Sequence, residues 1–159
     1  MAQPQPLDPA VVQALVKRGF EGAPFVKDVG LQFVACGVGW CEAALELRPR
    51  HFQHTGVVHA GVITTLADHC AGGAGQLMCG PGEHVVTLEF KINLLRPGVG
   101  ERLSCRAEVL KPGKSFHVVE AQVWAHRRAE QTLVAKLNAT LAVVPDQAPA
   151  RATRRLDAG

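Results

Sequence analysis

Apolar and polar residues alternate in several segments of the chain, which is the pattern of a strand with one buried face. The alternation is clear in five segments, at residues 39–48, 86–94, 102–109, 119–125 and 133–143, and residues 31–36 are predicted as a further strand. Only short turns separate the last four segments, and short connections between consecutive strands require antiparallel pairing. The pattern therefore predicts an antiparallel sheet of about six strands.

The alternation is interrupted once, from His59 to about Met78, where the apolar residues follow the spacing of a helix. Gly80-Pro81-Gly82 is expected to end this helix. The helix contains four glycines, Gly61, Gly72, Gly73 and Gly75. Each glycine costs an exposed helix about 1 kcal/mol relative to alanine. The helix is therefore expected to be enclosed, with other backbone or a ligand packed against it.

The order of elements is β-β-α-β-β-β-β, which predicts an α+β fold. One long central helix wrapped by a curved antiparallel sheet describes the hotdog fold. Before the sheet we expect a short helix at Val11–Arg18 and a turn segment at Gly19–Phe25. The predicted organisation is an N-terminal segment at 1–24, a hotdog domain at 25–144 and a disordered tail at 145–159.

Composition restricts the class of protein. The 159 residues, of which 47% are hydrophobic and 19% charged, fit one domain with a sizeable core. Charged residues interrupt every apolar stretch well before the roughly 20 residues that span a bilayer. The net charge of +3 is far below the excess typical of nucleic-acid-binding proteins, although it fits an anionic ligand. The five cysteines form no C-x-x-C pair, and residues 1–6 lack the basic and apolar regions of a secretory signal, so we expect reduced thiols in a cytoplasmic protein.

Asp68 is the single carboxylate of the predicted helix. Its neighbours one and two turns away are all small: Gly61, Thr64, Thr65, Ala71, Gly72 and Gly75. No large side chain of the helix can cover the carboxylate, so a ligand, water or a partner subunit must approach it. Asp68 is a candidate acid, base or nucleophile. The alternative is an aspartate that only bonds backbone or a partner subunit across a tight interface.

The segment before the helix offers hydrogen-bond donors. It runs from His51 to Gly61 and is polar and glycine-bearing. The first N–H groups of a helix are unpaired and lie at the positive end of its dipole, so those of Ala60 and Gly61 could bind an oxyanion. Gln53, just upstream, adds a side-chain amide.

Four histidines lie near each other in sequence: His51, His54, His59 and His69. His59 and His69 are ten residues apart, which places them about 15 Å apart along a helix. They cannot share one metal ion within a subunit, so we predict no metal site.

Two sequence motifs resemble a known family. Residues 53–68, Gln-His-Thr-Gly-Val-Val-His-Ala-Gly-Val-Ile-Thr-Thr-Leu-Ala-Asp, resemble the signature of the PaaI-type (phenylacetate-catabolism) hotdog thioesterases. That signature is Asn or Gln, then Gly, then His-Gly-Gly, then a helix with Leu-x-Asp. Residues 88–98 resemble the family's strand that ends in Arg-Pro, and the turn at 111–114 is also similar. The likeness covers about residues 25–144.

The resemblance implies a role for each matching residue. Asp68 is the nucleophile or general base that attacks a thioester. The backbone N–H of Ala60 polarises the thioester carbonyl, and Gln53 helps to bind that carbonyl or the attacking water. Thr87 matches a residue that positions water, and His59 shapes the oxyanion loop.

The same resemblance implies an acyl-CoA substrate and a homodimer or homotetramer with sites shared between subunits. Coenzyme A belongs to the substrate, and no further cofactor is expected. The predicted substrate contacts are Gly61, Gly72, Arg96, Lys111 and Lys114. The three cations are also readable as solvated turn charges. One departure from the family pattern is Ala60, where glycine is usual; the N–H survives this change unless the position needs a positive φ.

Two alternatives remain open from the sequence. A non-catalytic acyl-CoA-binding protein could keep the fold and the cations. A hotdog hydratase or dehydratase is less well matched, because His51-Phe52 resembles the start of a dehydratase motif but Thr65 occupies the place of its glutamate. Turnover and binding, measured separately on one acyl-CoA, distinguish an enzyme from a binding protein.

Overall fold

The computed structural model describes residues 9–146. Its helices are α1 (Pro9–Gly22), α2 (Pro24–Val29) and α3 (Ala60–Gln76), with a 3-10 turn at Pro49–His51. Its strands are β1 (Leu31–Gly37), β2 (Trp40–Glu46), β3 (Glu83–Leu94), β4 (Arg102–Lys111), β5 (Phe116–Arg127) and β6 (Glu130–Pro145).

The six strands form one antiparallel sheet in the order β1-β2-β4-β5-β6-β3. Helix α3 packs on one face of this sheet, with Leu66, Ala67 and Cys70 fully buried against it. The inward positions of the central strands, such as Leu103 and Val123, are equally buried, because alternate strand residues point to the same face. This arrangement confirms the predicted α+β hotdog architecture.

The predicted N-terminal elements were wrong in extent. Helix α1 runs through Gly19 to Gly22, and α2 begins at Pro24, so the expected turn segment at Gly19–Phe25 is largely helical. Phe20 and Val26 are each at most 5% exposed and belong to the same buried cluster as the sheet. The free energy gained by burying these side chains outweighs the low helix propensity of the glycines. The local sequence shows only the low propensity, so it predicted a turn.

The glycines of α3 have different surroundings. A Cβ on Gly75 would collide with the side chain of Leu141, and one on Gly73 would lie 2.9 Å from Cys41 Sγ. A Cβ on Gly72 would meet nothing within 4 Å, so this face of the helix is open. The expectation of an enclosed helix therefore holds for Gly73 and Gly75, whereas Gly72 faces a cavity.

All five cysteines are free thiols. Among residues 9–146, no helix combines the length and the apolar character that crossing a membrane would require. The predicted disordered tail lies almost wholly outside the described residues, which end at Asp146. The division of the chain at residues 24 and 144 stays a prediction.

Two histidines are buried at 2% exposure, His51 and His117. His117 accepts a hydrogen bond from the Gly113 amide at Nδ1 (3.2 Å), and its Nε2 has no hydrogen-bond partner in the described structure. Burial lowers the pKa of both imidazoles below the usual value, since the charged form would lose its hydration. The native protein therefore favours neutral histidine at these positions.

Acid should destabilise the protein through these groups. A pKa that is lower in the folded than in the unfolded state means that the unfolded chain binds more protons, so stability is full above about pH 6.5 and decreases as the pH falls below it. His117→Asn, which keeps an acceptor, should reduce the loss of unfolding free energy below pH 6.5 by up to about 1.4 kcal/mol per pH unit. Urea unfolding at several pH values measures this slope. The exposed His54→Asn is the control, and equal slopes in the two variants would contradict the prediction.

Candidate active site

Asp68 lies on α3 beside the first half of β3. The Thr87 hydroxyl donates a hydrogen bond to Asp68 Oδ1 at 3.0 Å. Both side chains are half-buried and line a cavity of about 290 Å³. The carboxylate is therefore oriented by a neighbouring strand and open to a space large enough for a ligand.

Local sequence explains this pairing. Thr87 lies opposite Leu141 of β6, which is fully buried, so the Thr87 side chain points to the same face of the sheet as α3. The register shifts between Thr87 and Glu89, which ends the regular alternation directly after Thr87. Small residues around Asp68, above all Gly72, leave the cavity open.

The remaining walls of the cavity include residues that no sequence motif indicates. Helix α1 supplies Leu15, Val16, Gly19 and Phe20, and α3 adds His69. The Phe20 ring packs edge-on against the His69 imidazole with centroids 4.2 Å apart. No local signal reveals this contact, because it joins a segment predicted as a turn to a helix some fifty residues later. The sequence indicates only that His69 directly follows Asp68 and so lies near the cavity.

Gln53 and Ala60 line a second cavity of about 310 Å³, together with Leu94, Arg96 and their neighbours. Gln53 begins a tight turn in which its carbonyl accepts from the Gly56 amide, and Gly56 has a positive φ of 80°. The side chain of Gln53 is exposed. The predicted amide-bearing loop is thus adjacent to the start of α3.

Helix α3 begins with one free amide. His59 is its N-cap, and His59 Nδ1 accepts the Gly61 N–H at 2.9 Å. The amides of Val62 and Ile63 donate to the His59 carbonyl, and that of Ala60 donates to no group of residues 9–146. Among the first amides of the helix, Ala60 N–H is the one available to an oxyanion, whereas Gly61 N–H is already engaged.

The alanine at position 60 requires no unusual backbone. Arg128 is the one non-glycine residue with positive φ in the described chain, so Ala60 is not in that region. The departure from the glycine usual in the family therefore carries no conformational cost at this position.

The two cavities are separate within one chain. Ala60 and Asp68 are eight residues apart on α3, which corresponds to about 12 Å along the helix axis. One small reacting group cannot contact both the Ala60 amide and the Asp68 carboxylate of the same chain.

The predicted cationic contacts are dispersed. Arg96 borders the Gln53 cavity, and its guanidinium donates to the Leu133 carbonyl at 3.1 Å. Lys111 and Lys114 are exposed at the β4–β5 turn and line neither of these cavities. Within residues 9–146, no group of three or more His, Cys, Asp or Glu side chains is placed to hold a metal ion.

Two features of the site are suited to acyl transfer. One is a carboxylate that accepts a hydrogen bond from a hydroxyl, and the other is a free amide at a helix N-terminus. The carboxylate can attack a carbonyl or deprotonate water, and the amide can stabilise the oxyanion that forms.

The sequence of the chain is similar to those of known proteins. Residues 55–131 match the family model described as thioesterase superfamily. The chain is 30% identical over 95 residues to a 1,4-dihydroxy-2-naphthoyl-CoA hydrolase from Listeria monocytogenes, covering 60% of this chain and 77% of that protein.

Two solved structures share the fold. A thioesterase family protein from Silicibacter pomeroyi aligns with a TM-score of 0.81 at 31% identity, over 87% of this chain and 99% of that one. The PaaI protein of the phenylacetic acid degradation operon of E. coli aligns with a TM-score of 0.77 over 87% of this chain and 98% of that one. Its identity of 18% supports the likeness of fold alone.

Proposed function

This chain belongs to the thioesterase superfamily, and on that premise we propose that it hydrolyses acyl-CoA thioesters to the free acid and coenzyme A. The family predicted from the motifs is thereby confirmed. The observation that carries the proposal is the Asp68 carboxylate, which Thr87 orients at the wall of an open cavity. The hydrolase relative from Listeria monocytogenes, which is named for a CoA thioester, supports this substrate class.

In the proposed reaction, Asp68 attacks the thioester carbonyl or removes a proton from the water that does so. The C–S bond breaks, coenzyme A leaves as its thiol, and water supplies the hydroxyl of the acid. Ala60 N–H and the Gln53 amide bind the carbonyl oxygen as it becomes negative. His59 fixes the loop by capping α3, and Thr87 holds the carboxylate. No cofactor takes part beyond the coenzyme A of the substrate.

We propose that two subunits complete each site, because one chain separates Asp68 from Ala60 by about 12 Å along α3. Val85 and Thr87, near the start of β3, line the Asp68 cavity, and Leu94, at the end of β3, lines the Gln53 cavity. If two copies of β3 pair antiparallel about a two-fold axis, the start of one strand lies beside the end of the other. Asp68 then faces the partner subunit's Ala60.

The β3 strand has the properties of such an interface. It is an edge strand of 12 residues, and its apolar side chains Leu88 and Phe90 are 57% and 43% exposed. Phe90 lies opposite Ala139, which is buried, so it is on the inner face of the sheet. A long apolar edge without a neighbour is an aggregation hazard unless another strand covers it.

Phe90→Glu should therefore give monomers that have lost most of their turnover, since neither cavity of a monomer combines the Asp68 carboxylate with the Ala60 amide. Sedimentation measures the mass, and release of free thiol from acyl-CoA measures the activity. Val38→Glu is the matched control, because Val38 is 84% exposed at the β1–β2 turn. A wild-type monomer at micromolar concentration, or an active Phe90→Glu monomer, would exclude the shared site.

Thr87→Val should lower kcat about tenfold or more, because the hydrogen bond that orients Asp68 Oδ1 is lost. Thr87→Ser keeps the hydroxyl and should retain most of the rate. Steady-state kinetics on one acyl-CoA, with the melting temperature as a check on folding, compare the two variants. Equal rates for Val and Ser at this position would show that the hydroxyl has no role.

The acyl group is proposed to occupy the cavity beside Gly72, while Gly61, Arg96, Lys111 and Lys114 remain proposed contacts for the rest of the substrate. Thiol release from short, medium, long and aromatic acyl-CoAs tests the function directly. Hydrolysis of at least one of these acyl-CoA classes would establish that the protein is a thioesterase. Binding of all of them without release of thiol would instead establish an acyl-CoA-binding protein.

A further inference from the structure

A third cavity, of about 190 Å³, lies beside the 3-10 turn and is lined mainly by polar groups. We call it the basic cavity, since three cationic side chains border it: Lys27, Arg48 and Arg50. Gln32 contributes a side-chain amide to the same wall. At about 30 Å³ for each water molecule, the space holds several waters or one tetrahedral anion.

The three cations have no acidic partner in the part of the chain that the structure describes. Neither Lys27 nor Arg48 makes a side-chain ion pair within residues 9–146, and the Arg50 guanidinium donates to the neutral Val29 carbonyl at 3.3 Å. The one carboxylate on the wall, Glu46, pairs with Arg102 at 3.3 Å.

The buried wall of the basic cavity is neutral. His51 accepts the Arg48 amide at Nδ1 (3.0 Å), so its proton is on Nε2 and donates to the Val29 carbonyl at 2.8 Å. Burial is the main cause that lowers the pKa of His51, and the charges of Arg50 and Arg48 lower it further. The positive charges of Arg48 and Arg50 therefore act on His51, and no carboxylate of the wall neutralises them.

The basic cavity is joined to the proposed active site by the backbone. The His51 carbonyl accepts the His59 amide at 2.9 Å, and Phe52 and Val58 form a β-bridge next to it. The loop between these residues carries Gln53 and leads to Ala60. Arg48 and Arg50 thus lie at the base of the same loop that borders the Gln53 cavity.

We propose that the basic cavity between Lys27, Arg48 and Arg50 binds a phosphate group. Phosphate oxygens accept hydrogen bonds from arginine, lysine and amide donors and offset the mutual repulsion of the cations. The 3′-phosphate on the nucleotide of coenzyme A and a free phosphate share this chemistry. Binding of the coenzyme A phosphate rests on the proposed function, whereas binding of free phosphate does not.

Titration calorimetry at low ionic strength tests the site with three probes: inorganic phosphate, coenzyme A and 3′-dephospho-coenzyme A. The test variant is Lys27→Gln/Arg48→Gln, which leaves the Arg50 bond to Val29 intact. The matched control is Arg18→Gln/Arg127→Gln, which removes two exposed charges elsewhere. Circular dichroism checks that both variants are folded.

If the site holds the nucleotide of coenzyme A, the test variant should bind coenzyme A about tenfold or more weakly, and its affinity for the dephosphorylated form should not change. If the site holds free phosphate, affinity for inorganic phosphate should fall by the same factor while that for coenzyme A is retained. The control should change each Kd by less than twofold, and added salt should reduce the difference.

Wild-type affinity of the test variant for both phosphate and coenzyme A would overturn the proposal. Because these titrations involve no turnover, they remain informative if the protein fails to hydrolyse thioesters. Conversely, hydrolysis that continues in the test variant leaves the proposed function intact.

Discussion

Asp68→Asn is expected to lower kcat on the best acyl-CoA substrate by about 10²–10⁴-fold, the largest effect of any single change. Asparagine keeps the size of the side chain and can still accept the hydrogen bond from Thr87, so the cavity should persist. It cannot attack the carbonyl as a carboxylate or act as a general base. Substrate binding should change much less, since other groups hold the substrate.

Asp28→Asn serves as the control, because Asp28 is an exposed aspartate on α2 that lines neither the Asp68 nor the Gln53 cavity. Steady-state kinetics give kcat and KM, and calorimetry with the inactive variant gives the affinity for intact substrate. Near-wild-type turnover in Asp68→Asn would show that the mechanism proposed for this chain is wrong.

Ala60→Pro is expected to lower kcat by about 10²–10³-fold, because proline removes the amide proposed to stabilise the oxyanion. The fold should tolerate the change. Ala60 is the first residue of α3, a position where proline is common, and His59 has φ −63° and ψ 135°, which suits a residue before proline. The free Ala60 N–H makes no bond within residues 9–146 that the substitution would break.

Ala60→Gly is the matched variant, since it retains the N–H and restores the residue usual in the family. Its kcat should stay within a few-fold of wild type, and the melting temperature of each variant checks the fold. A folded Ala60→Pro protein with normal kcat would place the oxyanion donor at another group.

Much of the architecture follows from short-range patterns in the sequence. Period-two alternation identified five of the six strands, because alternate side chains of a strand lie on opposite faces, as for Val123 and Trp124 on β5. The single change to helical spacing identified α3. The candidate residues Asp68, Gln53 and Ala60 were found from one contiguous motif, which covers α3 and the loop before it.

Other features depend on contacts between distant segments. Helix α1 continues through Gly19 because Phe20 is buried against β1 and His69, so its end could not be read from local propensity. The hydrogen bond from Thr87 to Asp68 joins residues 19 apart, and it depends on the register of β3 against β6.

The sequence by itself determined the strands, the enclosed helix, the family and the candidate carboxylate. Tertiary structure alone decided which amide of α3 is free, how α1 closes the Asp68 cavity and which cations gather at the 3-10 turn. The physical reason is that the former depend on side-chain periodicity and spacing within one segment. The latter depend on the packing of segments that are distant in sequence. Lys27 and Arg48 border one cavity because the turn after β2 is hydrogen-bonded to Val29 of α2.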